Sequence, residues 1–190
     1  MTVFEYVIIL FSILFSVAFA HMLQSVAQLI RAAKRVRFSA LHAIWMLNVF
    51  VIVLTNWLGL WELRDLPRWP TAYVVLLTIA ISIQYVAVVL ICPAVPPEGE
   101  VDLRTFHQTQ GPRYLAGFAS MELVSVPLNV VTAEIFGVAT WRFDNFIQAP
   151  MAILIAAAIF LRSPRAQWPL SLAVLALSAF ALATFVSAIG

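Results

Sequence analysis

Charge is scarce in this sequence: Asp, Glu, Lys and Arg together make up 11% of its 190 residues. A soluble domain carries about a quarter, so a water-wetted globular exterior is excluded. Cysteine is nearly absent, and the single Cys92 excludes an intrachain disulfide and a cysteine-based metal site. Alternation of apolar and polar residues is missing from Val86–Ile91 and Ala152–Ile159, which excludes the dyad pattern of a lipid-facing β-barrel. No HExxH, nucleophile elbow or phosphate loop is present. An enzyme would have to be assembled from Glu62, Asp65 and other scattered groups.

What is abundant is apolar. Hydrophobic residues reach 63% and the mean hydropathy is +0.98, the composition of an integral membrane protein. A helix needs about 20 residues to cross the hydrocarbon. Six stretches approach that length: Val3–Ile30, Ala40–Leu63, from just after Pro70 to Cys92, Tyr114–Gly137, Asn145–Leu161 and Trp168–Ile189. The expected fold is therefore all-α, a single polytopic domain over 1–190 with six transmembrane helices. The link 93–112 is the longest, with Asp102 placed to cap a short interfacial helix. Met1–Glu5 contains no Lys or Arg, so the first run reads as a retained helix rather than a cleaved signal peptide.

Orientation follows from the basic residues. Arg31, Lys34, Arg35, Arg37, Arg104, Arg113, Arg162 and Arg165 lie in the odd-numbered links, against Arg64, Arg68 and Arg142 in the even ones. The positive-inside rule then puts the odd links in the cytoplasm and both termini on the non-cytoplasmic side. The link Arg31, Lys34, Arg35, Arg37 is expected to meet anionic lipid, as any such cluster does. Trp57, Trp61, Trp69 and Tyr73 flank the second link, an aromatic belt at the opposite interface.

The combination of Phe4-Glu5-Tyr6, Ala20-His21-Met22-Leu23, Trp57 with Trp61-Glu62-Leu63-Arg64-Asp65, and Asp102-Leu103-Arg104 followed by Arg113 resembles a group of small, uncharacterised bacterial multi-pass membrane proteins. The resemblance implies the bacterial inner membrane. It implies no activity, cofactor or catalytic residue.

Polar side chains inside apolar helices are costly and mark function. His21, Asn48, Gln84 and Glu122 each fall eight or nine residues from the cytoplasmic end of their helix, roughly 12 to 14 Å at the helical rise. With Asn129 they form the expected ion or proton pathway. Glu5, Glu62, Asp65 and Glu134 form its expected outer mouth. The seam belongs to helices one to four, with five and six outside it. Glu122 is the sharpest signal: so deep a carboxyl is either protonated or paired, and His21 is the expected partner for a proton relay. The rival reading makes Glu122 a neutral hydrogen-bond donor that locks helices together. Pro127 should kink the fourth helix and free the Leu123 carbonyl.

His21, His42 and His107 are expected at different depths, so no haem or other cofactor is expected. The last helix carries Ala173, Ala176, Ala179, Ala181, Ala183 and Ala188 with Ser171, Ser178 and Ser187. Such a small-residue surface suits close helix packing, within the chain or in a homo-oligomer. Three functions are consistent with these residues. The first is a channel or transporter for a small inorganic ion, a proton or cation. The second is a non-transporting accessory, assembly or signalling protein, and the third a membrane-embedded enzyme. Nothing points to nucleic acid, because the basic residues do not share a face.

Overall fold

A computed structural model describes residues 2–137 and 143–189, with side chains described except at 143–145, 185 and 187–189. Arg142, counted above among the outer basic residues, lies outside the described residues, as do the side chains of Ser187 and Ala188. The chain forms α1 (Val3–Arg31), α2 (Ala40–Gly59), α3 (Thr71–Ile91), α4 (Leu103–Phe136), α5 (Phe143–Phe160) and α6 (Pro164–Ile189). A 3-10 segment, Leu60–Asp65, prolongs α2. Two residue pairs, β1 (Val36–Arg37) and β2 (Val101–Asp102), join in parallel. They tie the basic link to the start of α4.

Helix ends follow local chemistry. Thr2 and Glu5 form a reciprocal capping box on α1: the Thr2 hydroxyl accepts from the Glu5 N–H at 3.1 Å, and the Glu5 carboxylate accepts from the Thr2 N–H at 2.7 Å. Two otherwise orphaned donors are satisfied in this way. Asp102 caps α4 by accepting from the N–H groups of Arg104 and Thr105. The cap opens not a short interfacial helix but one of 34 residues. The link expected over 93–112 therefore ends at β2. Gly111-Pro112 looks like a helix breaker, yet Pro112 removes only the donor to the Gln108 carbonyl. Gln108 is exposed, so water can serve that carbonyl. Pro127 is likewise accommodated within α4. Gly137 ends the helix at φ +67°, the left-handed position that glycine takes without a Cβ penalty.

Among the described residues, five helices are long and apolar enough to cross a bilayer. In α5 the apolar described part, Phe146–Phe160, is shorter. Large apolar side chains face outward along the bundle, among them Ile13, Leu23, Ile79, Val86, Ile153, Leu172 and Phe180. Hydrocarbon tolerates that surface and water does not. The chain is a multi-pass helical membrane protein.

The order of the helices around the bundle differs from the expected one. The extensive contacts run α2 to α6, α6 to α5, α5 to α4 and α4 to α3, while α1 packs chiefly on α3. Helices α3, α4, α5, α6 and α2 follow one another around a ring, and α1, packed on both α3 and α2, bridges its weakly joined side. Gln167 fastens the start of α6: its Oε1 accepts from the Trp45 indole N–H at 3.2 Å, and its Nε2 donates to the carbonyls of Ala158 and Leu161. On α6, Ser171, Ser178 and Ala181 turn inward, whereas Ala176, Ala179 and Ala183 are exposed. Helices α3 and α4 approach most closely at Gly117, where a Cβ would stand 2.8 Å from that of Ala87. Glycine is required there by space.

Candidate functional site: a polar chamber closed at Glu122

A cavity of about 170 Å³ lies inside the ring. A single buried water needs about 10–15 Å³ on a comparable measure, so this space holds several. At the end of the bundle that carries the Trp-rich link, its wall reaches Gly59, Glu62 and Leu63. At mid-bundle it stops at Gln84 and Glu122. Between those residues and the end carrying the basic link, the interior is filled by Trp45, Val49, Val88, Ile91, Tyr114 and Phe118, all buried. The chamber is blind.

Side-chain hydrogen bonds connect its walls. Asn56 on α2 donates through Nδ2 to Gln84 Oε1 on α3 at 3.1 Å. Thr132 gives its hydroxyl proton to the Leu128 carbonyl at 2.7 Å, so Tyr73 on α3 is the donor in the 2.7 Å contact between the two hydroxyls. Asn129 on α4 donates to Gln148 on α5 at 2.8 Å. Ser125 sends its proton to the Met121 carbonyl, which leaves the oxygen lone pairs as acceptors in the wall. The lining is therefore rich in oxygens that accept.

Glu122 is 2% exposed and belongs to this lining. No hydrogen bond or ion pair joins its carboxyl to another described residue. Gln84, 3% exposed, has a buried Nε2 that is likewise unpartnered among the described residues. A lone carboxyl in such a place requires a proton, water or a cation.

Of the pathway residues expected from the sequence, Gln84, Glu122 and Asn129 meet at the chamber. His21 and Asn48 do not. His21, on α1, packs edge-on to Tyr85 with ring centroids 6.4 Å apart, and no hydrogen bond or ion pair joins it to Glu122 among the described residues, so the expected Glu122–His21 relay is not formed. Asn48 is fully buried between α2 and α6, where Nδ2 donates to the Ser171 carbonyl at 2.9 Å. Among the expected mouth residues, only Glu62 lines the cavity. Asp65 is exposed and pairs with Arg64 at 3.3 Å, Glu134 is exposed on α4, and Glu5 serves the α1 cap.

The seam is also drawn from different helices. Gln148 and Met151 of α5, with Ser178, Ala181 and Thr184 of α6, line the chamber, whereas α1 contributes Phe15 alone. Gln148 was visible as an amide two residues before Pro150 in an otherwise apolar run. A search for charge passes over it.

The histidines depart from expectation too. Because α4 begins at Leu103, His107 stands level with His42, their ring centroids 6.3 Å apart. His107 Nδ1 is hydrogen-bonded to the Tyr114 hydroxyl. His42 is fully buried, lies edge-on to Phe106 at 5.2 Å, and has no hydrogen-bond partner for either ring nitrogen among the described residues. Among the described residues no three His, Cys, Asp or Glu side chains gather as metal ligands. Comparison with known proteins finds no family model, no curated protein and no solved structure that matches this chain.

Proposed function

We propose that this protein is an inner-membrane transporter for a small cation, a proton or a monovalent inorganic ion. It crosses the membrane six times with both termini outside, so the chamber is filled from the non-cytoplasmic side. The observation that carries the reading is Glu122, a buried carboxyl with no side-chain partner among the described residues, at the closed end of a polar cavity. A buried carboxylate there is stabilised by a cation beside it or neutralised by a proton. Asn129, Gln148 and Ser125 replace part of the ion's hydration shell with amide and hydroxyl oxygens, and Glu62 draws cations to the mouth.

The buried block of Trp45, Tyr114 and Phe118 favours a transporter over an open channel. A continuous pore would need polar lining to the basic end, whereas a carrier needs one gate shut at a time. Release inward then requires α2 and α4 to separate around that block.

The test is flux in liposomes, with proton, sodium and potassium gradients imposed separately and Glu122→Gln beside the parent. The parent should carry one of these cations. The variant should be roughly 10- to 100-fold slower, the equivalent of one hydrogen bond to a charged group at about 1.5–3 kcal/mol. Equal leakage in empty, parent and variant vesicles under all three gradients would count against transport and move the reading to an accessory role.

A further inference from the structure

A second cavity, of about 270 Å³, lies at the basic end, beyond the apolar block that closes the chamber. Ser39, Arg104, His107, Gln108, Arg162 and Trp168 are in its wall, and among the described residues no carboxylate is. The first turns of three helices meet there: Ser39 caps α2, Arg104 belongs to the first turn of α4, and Pro164 opens α6. The Asp102 carboxylate offsets the positive end of α4, while the starts of α2 and α6 each add about half a positive charge. That reinforces the two guanidinium groups.

Those groups are not otherwise neutralised. Neither Arg104 nor Arg162 pairs with a carboxylate among the described residues. Arg162 Nε donates to the Ile159 carbonyl at 3.4 Å, which leaves its terminal nitrogens for a ligand. Asp102, the nearest carboxylate along α4, is committed to two backbone N–H groups and to Arg37 at 3.6 Å. The basic link, by contrast, is partly spent inside the protein. Arg35 donates to the carbonyls of Pro96 and Gly99 at 3.2 and 3.1 Å, and Arg37 holds Asp102.

We propose that this cavity binds a phosphate group, with Arg104 and Arg162 as its cationic ligands and the Ser39 and Gln108 side chains completing the contacts. Guanidinium groups suit phosphate because their paired N–H donors match its oxygens. Basic pockets between helices at this interface take the head groups of anionic lipids, and a free phosphate offers the same chemistry. The site is separate from the chamber and does not depend on transport.

The test measures thermal unfolding of the full chain in three settings: nanodiscs of an uncharged, phosphate-free glycolipid, the same with phosphatidylglycerol, and neutral discs with inorganic phosphate. The parent should be stabilised in at least one of the last two. A rise with phosphatidylglycerol alone assigns the phosphate to lipid, and a rise with inorganic phosphate assigns it to a soluble source. Arg104→Gln with Arg162→Gln should abolish the rise while matching the parent in neutral discs, and each single change should weaken binding roughly fivefold. If the double variant fails to fold, Arg162→Gln in the α5–α6 turn is read alone. Arg31→Gln with Lys34→Gln should keep the rise. No rise in either setting, a rise that survives loss of the cavity arginines, or a rise lost equally in the Arg31/Lys34 variant would overturn the proposal.

Discussion

Asn56 Nδ2 donates to Gln84 Oε1 across 3.1 Å, and that one bond joins α2 to α3 at the closed end of the chamber. It also uses the oxygen of the Gln84 amide, while the Nε2 beside it has no hydrogen-bond partner among the described residues. A single change, Asn56→Leu, strands the Gln84 oxygen as well and should cost about 1–3 kcal/mol. Changing both residues to Leu removes both buried polar groups and should return stability close to that of the parent. Unfolding midpoints of the two single variants and the double variant in nanodiscs measure this coupling. Additive losses would show that the two amides do not depend on each other.

Gly117 and Ala87 set the distance between α3 and α4. Gly117→Ala would place two β-carbons 2.8 Å apart, and the overlap should cost about 1–3 kcal/mol. Ala87→Gly in the same chain should recover most of the loss, because it removes the atom that is struck. Thermal unfolding of the pair decides it. Failure of the second change to rescue would place the strain elsewhere.

Asp102 gives a pH dependence with a fixed sign. The Thr105 backbone N–H, then that of Arg104 and the charge of Arg37, hold its carboxyl below the ordinary value of 3.8. The unfolded chain therefore takes up a proton first as pH falls. The contribution of Asp102 is complete above pH 3.8 and is lost as pH falls through the depressed folded value. Asp102→Asn keeps a capping oxygen, so it should flatten this part of the stability curve while leaving the α4 start in place. Unfolding of parent and variant between pH 5 and pH 2 shows whether the curves converge, as expected, or stay parallel.

Sidedness is directly accessible to labelling. In a Cys92→Ser background, Asp65→Cys should react with an impermeant thiol reagent from outside the cell. Lys34→Cys should react only after the membrane is opened. The reverse pattern would invert the chamber and make it fill from the cytoplasm.

The sequence carried the helices in their apolar runs, and it carried Glu122, Gln84 and Asn129 because deep polar groups are costly wherever the helix packs. It did not carry adjacency. Depth and helical face placed His21 beside Glu122, but neither quantity says that α1 packs across α3 and α2 and sends Phe15 alone into the chamber wall. Gln148 and Ser178 were hidden because uncharged amides and hydroxyls are tolerated in many membrane helices, where a hydroxyl bonds back to its own turn, as Ser178 does to Val174. The His42–His107 neighbourhood was hidden by Gly111-Pro112, which masks the continuity of α4 and so the level at which His107 stands. Asn48 shows the converse. Its depth was legible, while its use as a bond to the Ser171 carbonyl depended on a helix 123 residues away in sequence.

Transport as proposed requires the Glu122 carboxyl to receive the cation. Infrared difference spectra of the purified protein report this group directly, recorded before and after addition of sodium, potassium or acid, with Glu122→Gln as reference. A carboxyl-stretch change is expected in the parent with at least one of these additions, and it should disappear in the variant. Identical difference spectra from parent and variant under all three additions would contradict it.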